Sequence, residues 1–262
     1  MELFDTHCHY NDGAFKDDRE NIIEETFKSG VTKFTCIGYD LESSKRAVEI
    51  INEHDNIYAT VAISPIGVTE KNLDELSQIE ELAKDKKVVA IGEIGLDYHW
   101  DKDNKDLQKQ LFIKQIEIAN KLDLPIAIHT RDAHIDTIEV LKNNKCNNTG
   151  IFHCCPLNVE LIKSGLELGY YISFSGVITF KNAKPDLAIK EVPMDRILIE
   201  TDSPYLTPEP YRGKRNDSRK VIEVARKIAD VKQMDIEDVA KITYENAMRV
   251  YKIKDDKTFE TL

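Results

Sequence analysis

Read for its apolar and polar positions, the chain resolves into eight short apolar runs separated by longer amphipathic stretches. The runs are Glu2–Phe4, Lys33–Ile37, Ile57–Ile63, Val88–Ile91, Pro125–Ile128, Gly150–Phe152, Tyr170–Phe174 and Arg196–Ile199. They are rich in Val, Ile and Phe, as strands buried on both faces are. Residues 218–230 place Val221, Ile222, Ala225, Ile228 and Ala229 on one face, and residues 105–122 set Leu107, Leu111, Ile118 and Leu122 in a stripe. Both patterns predict helices. Strand–helix alternation along the whole chain predicts a parallel α/β sheet. Eight strands in 262 residues favour a closed (β/α)8 barrel over an open doubly wound sheet.

No Gly/Ser/Pro-rich linker interrupts the pattern, so one domain is expected over residues 1–253, with a polar tail at 254–262. The segment Ser203–Ser218, with three prolines and several charges, is too long for an ordinary βα connection, and such loops are often functional. Hydrophobic residues make up 41% of the chain, but no window approaches the roughly 18 uninterrupted apolar residues of a membrane helix. The N-terminus lacks the basic and apolar regions of a signal peptide, and a cytoplasmic protein without membrane contact is expected. The five cysteines form no CxxC pair and read as reduced thiols. A net charge of −11 argues against a general nucleic-acid coat protein, though not against an enzyme whose active-site mouth is locally positive.

The candidate chemistry sits at the ends of the predicted strands. His7 and His9 flank Cys8 after the first run, and residues two apart in an extended segment point the same way. Glu93 follows Val88–Gly92, His129 follows Pro125–Ile128, His153 follows Gly150–Phe152 and Asp202 follows Ile197–Thr201. In a barrel these ends converge on one face, where active sites are built. His54, His99 and His134 occupy no such position. Any one of the six could be a polar cap satisfying loop backbone; six on one face point to metal. Imidazole and carboxylate suit several divalent ions, and a carboxylate between two sets of imidazoles is the usual bridge of a binuclear centre. Spacing defines the set and not the pairing. Arg212, Lys214 and Arg215, just after Asp202, form a phosphate-sized basic patch. Cys155, two residues beyond His153, reads as a buried small hydrophobe. Trp100 suits either packing at the barrel mouth or stacking on a base. Phe112 and Gln115 read as packing and buried hydrogen bonding, and Asn246 as an anchor for the last helix.

At these residues, from about Phe4 to Tyr251, the sequence resembles the TatD family of metal-dependent deoxyribonucleases within the amidohydrolase-like barrels. The resemblance runs through Asp5-Thr6-His7-Cys8-His9, Gly92-Glu93-Ile94-Gly95-Leu96-Asp97-Tyr98 and Pro125–Ala133. It continues through Phe152-His153-Cys154, Glu200-Thr201-Asp202-Ser203-Pro204-Tyr205-Leu206 and Arg212–Asn216. It implies a TIM barrel of the metallo-dependent hydrolase type and two divalent metal ions per subunit, from among Zn, Mn, Mg, Co and Ni. It also implies phosphodiester hydrolysis of DNA, single-stranded or at 3′ ends, in the 3′–5′ direction. His7, His9 and Asp202 would hold one ion, His129 and His153 the other, with Glu93 bridging. Asp202 and Glu93 would be catalytic, with Asp202 also able to accept a proton from the attacking water. Ser64, Arg212, Lys214 and Arg215 would contact substrate. The expected state is a monomer.

The sequence departs from the family pattern at three places. Where the family reads Gly-x-His-Pro-His, this chain has Ala62-Ile63-Ser64-Pro65-Ile66. Cys155-Pro156-Leu157 replaces Phe-Ser-Gly, and Asn216-Asp217-Ser218 replaces Asn-Glu-Pro. No expected ligand is lost, so the departures bear on substrate and rate. Two alternatives therefore stand beside the nuclease: an amidohydrolase-type enzyme on a small amide, lactone or phosphoester, and a weakly active metal-binding barrel acting as a partner protein.

Overall fold

In the computed structural model, which describes residues 1–254, eight parallel strands pair in sequence order. They are β1 (Leu3–Cys8), β2 (Val31–Ile37), β3 (Ile57–Val61), β4 (Val88–Asp97), β5 (Ile126–Arg131), β6 (Gly150–Phe152), β7 (Tyr171–Phe174) and β8 (Ile197–Ile199). Helices α1 (Arg19–Lys28), α2 (Leu41–Glu53), α3 (Lys71–Leu82), α4 (Lys105–Leu122), α5 (His134–Asn143), α6 (Val159–Glu167) and α7 (Asp186–Glu191) alternate with them. Helices α8 (Val221–Lys232) and α9 (Ile236–Val250) follow the last strand. The barrel closes beyond β8, where Asp202 N donates to His7 O at 2.8 Å and His9 N to Ser203 O at 2.7 Å. Two candidate ligand segments thus form the seam. The tail expected at 254–262 lies, apart from Lys254, outside the described residues.

The runs without alternation became strands covered on both sides. Phe4, Val89, Ile151, Tyr171 and Leu198 form an apolar cluster with Ala247, Val250 and Tyr251 at the end of α9. Tyr251 Oη also donates to Thr6 O, so α9 seals the end where the strands begin. That leaves the other end for the site. Asn246 anchors α9 by donating to Met194 O and Ile197 O. Gln115 on α4 satisfies both polar groups of the Ile63 backbone. Helix α2 starts at a capping box, in which Asp40 accepts from Ser43 N and the Ser43 side chain accepts from Asp40 N.

Three strands run past their expected ends and through candidate ligands: β1 to Cys8, β4 to Asp97 and β5 to Arg131. Strand β4 does not stop at Ile91; it runs six residues further, to Asp97. Its register against β5 shifts between Ile91 and Ile94, and that of β1 against β2 shifts between Asp5 and Cys8. Such irregularities re-aim side chains, and these two fall at Glu93 and His7. Gly95 is required here: its φ is +143°, and a Cβ would lie 2.0 Å from His129 O. Helix α4 has the expected bounds, while the helix expected at 218–230 opens as a 3-10 turn, Ser218–Lys220, before α8. No helix among the described residues is long and apolar enough to cross a membrane.

Candidate metal centre

Glu93 lies at the middle of the side chains that gather at the open end of the barrel. Its Oε2 is 3.5 Å from His7 Nε2, while its Oε1 is 2.9 Å from His129 Nδ1 and 3.6 Å from His153 Nε2. Asp202 Oδ1 lies 3.5 Å from His7 Nε2 and 3.2 Å from His9 Nε2. Two ligand-sized groups therefore share one carboxylate: His7, His9 and Glu93, and Glu93, His129 and His153. All six residues expected from the sequence are brought together, and all are buried except His129 and Asp202, which are half-buried.

The outer nitrogens of three of these imidazoles are committed elsewhere. His9 Nδ1 donates to Ile37 O at 3.2 Å. His129 Nε2 donates to Asp97 Oδ2 at 2.9 Å, and His153 Nδ1 to Glu200 Oε1 at 3.2 Å. The donor roles follow from the partners, which are all acceptors. With its outer proton held, each ring turns its other nitrogen, with a lone pair, into the cluster. This arrangement is typical of metal-binding histidines. His7 Nε2 completes the fit: it is buried with no hydrogen-bond partner, between two carboxylates. A divalent cation would satisfy it, and the donor set suits one.

The electrostatics are those of a site that seeks positive charge. Burial pushes the Glu93 carboxyl up, but His153, His129 and His7 outweigh it and hold Glu93 well below the usual range. Burial likewise disfavours charge on Asp202, yet His9, His7 and His153 bring its pKa below normal. Burial lowers His129 and His153, and the facing carboxylates reverse this, leaving both raised. His7, stacked on His153 at 3.9 Å between ring centroids, is lowered by burial and by that neighbour. A cation and protons would compete for the same inward nitrogens, so metal binding there would be pH-dependent.

Two groups without an assigned role in the sequence reading hold the cluster in place. Asp97 is buried; its Oδ1 accepts from His99 N and Trp100 N, and its Oδ2 from His129 Nε2, all at 2.9 Å. Glu200 is also buried, and its Oε1 accepts from Cys154 N at 2.7 Å as well as from His153. Both residues lie inside motifs that already carry a ligand, at Glu93 and Asp202, which was the available signal. Asp5, whose pKa burial pushes up to about 7 against hydroxyl and amide donors that lower it, binds Thr201 and Ser218 and so ties β1 to the segment carrying Asp202.

A cavity of about 890 Å³ opens above the cluster, lined by His9, Glu93, His129, His153 and Asp202 and by Ser64, Ile66, Trp100, Arg131 and Tyr205 among others. The thiol that reaches it is that of Cys154, 3.1 Å from Ser175 Oγ; Cys155 is buried, as expected. Arg212, Lys214 and Arg215 lie outside the lining of this cavity. Arg215 is held by Asp18 at 2.6 and 3.0 Å and lies over Phe15. Arg212 donates to Thr207 O and lies over Phe180. Lys214 is exposed. Of the contrasting histidines, His54 pairs with Glu20 and His99 with Asp132, while His134 reaches the cavity wall.

A parallel barrel with a carboxylate-bridged histidine cluster at its open end defines a metal-dependent hydrolase. The TatD related DNase family model matches residues 4–252, and the chain belongs to that family. It is 45% identical over 253 residues, 96% of this chain and 99% of the relative, to YabD of Bacillus subtilis (strain 168), described as an uncharacterized metal-dependent hydrolase. It is 34% identical over 258 residues, 97% of each chain, to the similarly described YcfH of Escherichia coli (strain K12). Among solved structures, the TatD homologue YJJV from Escherichia coli K12 superposes with a TM-score of 0.89 at 26% identity, covering 96% of this chain and 98% of that one.

Proposed function

We propose that the protein is a divalent-metal-dependent phosphodiesterase that removes nucleotides from DNA ends, with single strands and 3′ ends as its substrates. The observation that carries this reading is the division of Glu93, one oxygen toward His7 and the other toward His129 and His153. That division suits two ions, with His7, His9 and Asp202 holding one and His129 and His153 the other. Divalent cations at this place supply Lewis acidity and lower the pKa of water. The chain's own residues do the rest. Glu93 and Asp202 stay ionised, Asp97 and Glu200 keep the imidazoles oriented, and Asp202, facing the cavity, takes the proton of the attacking water. Ser64 offers a hydroxyl to substrate, and Arg212 and Lys214, outside the cavity, suit phosphates further along a strand.

The test is nucleotide release from 3′- and 5′-labelled single-stranded DNA by metal-stripped protein restored with Mg, Mn, Zn or Co. Metal-dependent release is expected, reduced about 100-fold or more in Asp202→Ala. No release from folded protein shown to hold metal would overturn the proposal. A second reading, hydrolysis of a small amide, lactone or phosphoester, is favoured by Ile66, which lines the cavity where the family pattern has a histidine. Turnover of such esters with none of DNA would select it.

A further inference from the structure

Exposed apolar side chains are ordinary when scattered, but several gathered along one groove mark a binding site. Among the described residues, three of the most exposed line the one cavity above the histidine cluster: Trp100 at 65%, Tyr205 at 54% and Ile66 at 48% exposure. Trp100 is not a stray surface residue. Its backbone N–H is held by Asp97 Oδ1, the carboxylate whose other oxygen binds His129. Its ring has His99 edge-on at 4.9 Å and the Arg131 guanidinium 5.4 Å from its centroid. One buried carboxylate thus holds both the backbone that carries the indole and a metal-facing imidazole, which puts Trp100 at the rim of the same cavity.

The geometry points to Trp100 as a stacking shelf for the nucleobase of the nucleotide whose phosphate lies at the histidine cluster. Ile66 adds an apolar part to the wall of the same cavity. This rests on the phosphodiesterase reading for its phosphate, and on the exposed indole for its base. An indole offers a wide π face, and a stacked base is attracted to it whatever its hydrogen-bonding edge, so the shelf selects a base without reading sequence. A cavity of about 890 Å³ has room for a nucleotide. Ile66, unlike a histidine, donates nothing to a phosphate, so apolar and stacking contacts carry recognition on this side.

Trp100 is the single tryptophan of the chain, so its fluorescence reports this contact directly. The metal-restored protein is titrated with dAMP, with deoxyribose 5-phosphate and with inorganic phosphate. Saturable quenching by dAMP and none by the other two is expected. Trp100→Ala should raise KM for single-stranded DNA about 5- to 100-fold, and Trp100→Phe should recover most of the loss. Calorimetric binding of dAMP should weaken in Trp100→Ala by a similar factor, with metal content unchanged. Equal fluorescence responses to dAMP and to deoxyribose 5-phosphate, or unchanged dAMP affinity in Trp100→Ala, would overturn the shelf. Nucleotide release without dAMP quenching would remove the shelf and leave the nuclease standing. Quenching without any nucleotide release would support the shelf and remove the nuclease.

Discussion

Replacing Asp97 with Asn isolates what the carboxylate beneath His129 contributes. The side chain is buried, and Oδ1 accepts from two backbone N–H groups, those of His99 and Trp100. An Asn must therefore keep its carbonyl oxygen on those donors, because turning its NH2 toward them would oppose donor to donor. The NH2 then faces His129 Nε2, where Oδ2 stood 2.9 Å away. His129 responds by making Nε2 an acceptor, which moves its proton to Nδ1, the nitrogen that faces Glu93 at 2.9 Å. To bind a metal through Nδ1 the ring must return the proton to Nε2, against a buried N–H, and forfeit a charge-assisted bond of about 1.5–3 kcal/mol. That corresponds to roughly a 10- to 100-fold loss of metal affinity, the range seen for outer partners of metal-binding histidines. Metal-free stability should change by only about 1 kcal/mol, since the backbone bonds survive. The assay is competition with a chromophoric chelator, paired with thermal unfolding of metal-free protein. Wild-type affinity in a folded Asp97→Asn variant would refute the tautomer argument. A large drop in metal-free stability would show instead that Asp97 acts through the fold.

Two further outcomes follow from the same structure. Metal at 100 times its Kd should stabilise the folded chain by about 2.7 kcal/mol per site, seen as a rise in Tm that a Glu93→Ala variant lacks; an equal rise in that variant would place the metal elsewhere. Asp217 carries the pH dependence of a structural network. Burial raises its pKa, but Arg219 and Lys220 reverse this and leave it below the usual 3.8. A depressed folded value means its stabilisation is complete above the unfolded value and is lost as pH falls through the folded one. Denaturant unfolding below pH 4 should show that loss, and Asp217→Asn should flatten the slope there; an unchanged slope would dismiss the network.

The sequence by itself determined the architecture and the identity of the gathering side chains. Strands that are apolar throughout, such as Val88–Ile91 and Gly150–Phe152, can only be buried on both faces, and eight of them alternating with helices leave a barrel as the compact solution. Placing His7, His9, Glu93, His129, His153 and Asp202 at strand ends then brings them to one face without knowledge of any contact. Tertiary structure alone decided how they are aimed and which neighbours serve them. The register shifts at His7 and Glu93 break the two-residue period on which a sequence argument relies, because a bulge depends on the partner strand. Asp97 and Glu200 became anchors only when β5 and β6 brought His129 and His153 within hydrogen-bond reach. The loop cations show the converse: Arg215, a candidate substrate contact in one dimension, lies against Asp18, 197 positions away in the chain, since a guanidinium binds the carboxylate that the fold puts in front of it. Periodicity reads which face a residue occupies, whereas hydrogen bonds and ion pairs act over a few ångströms between segments whose adjacency the linear chain does not state.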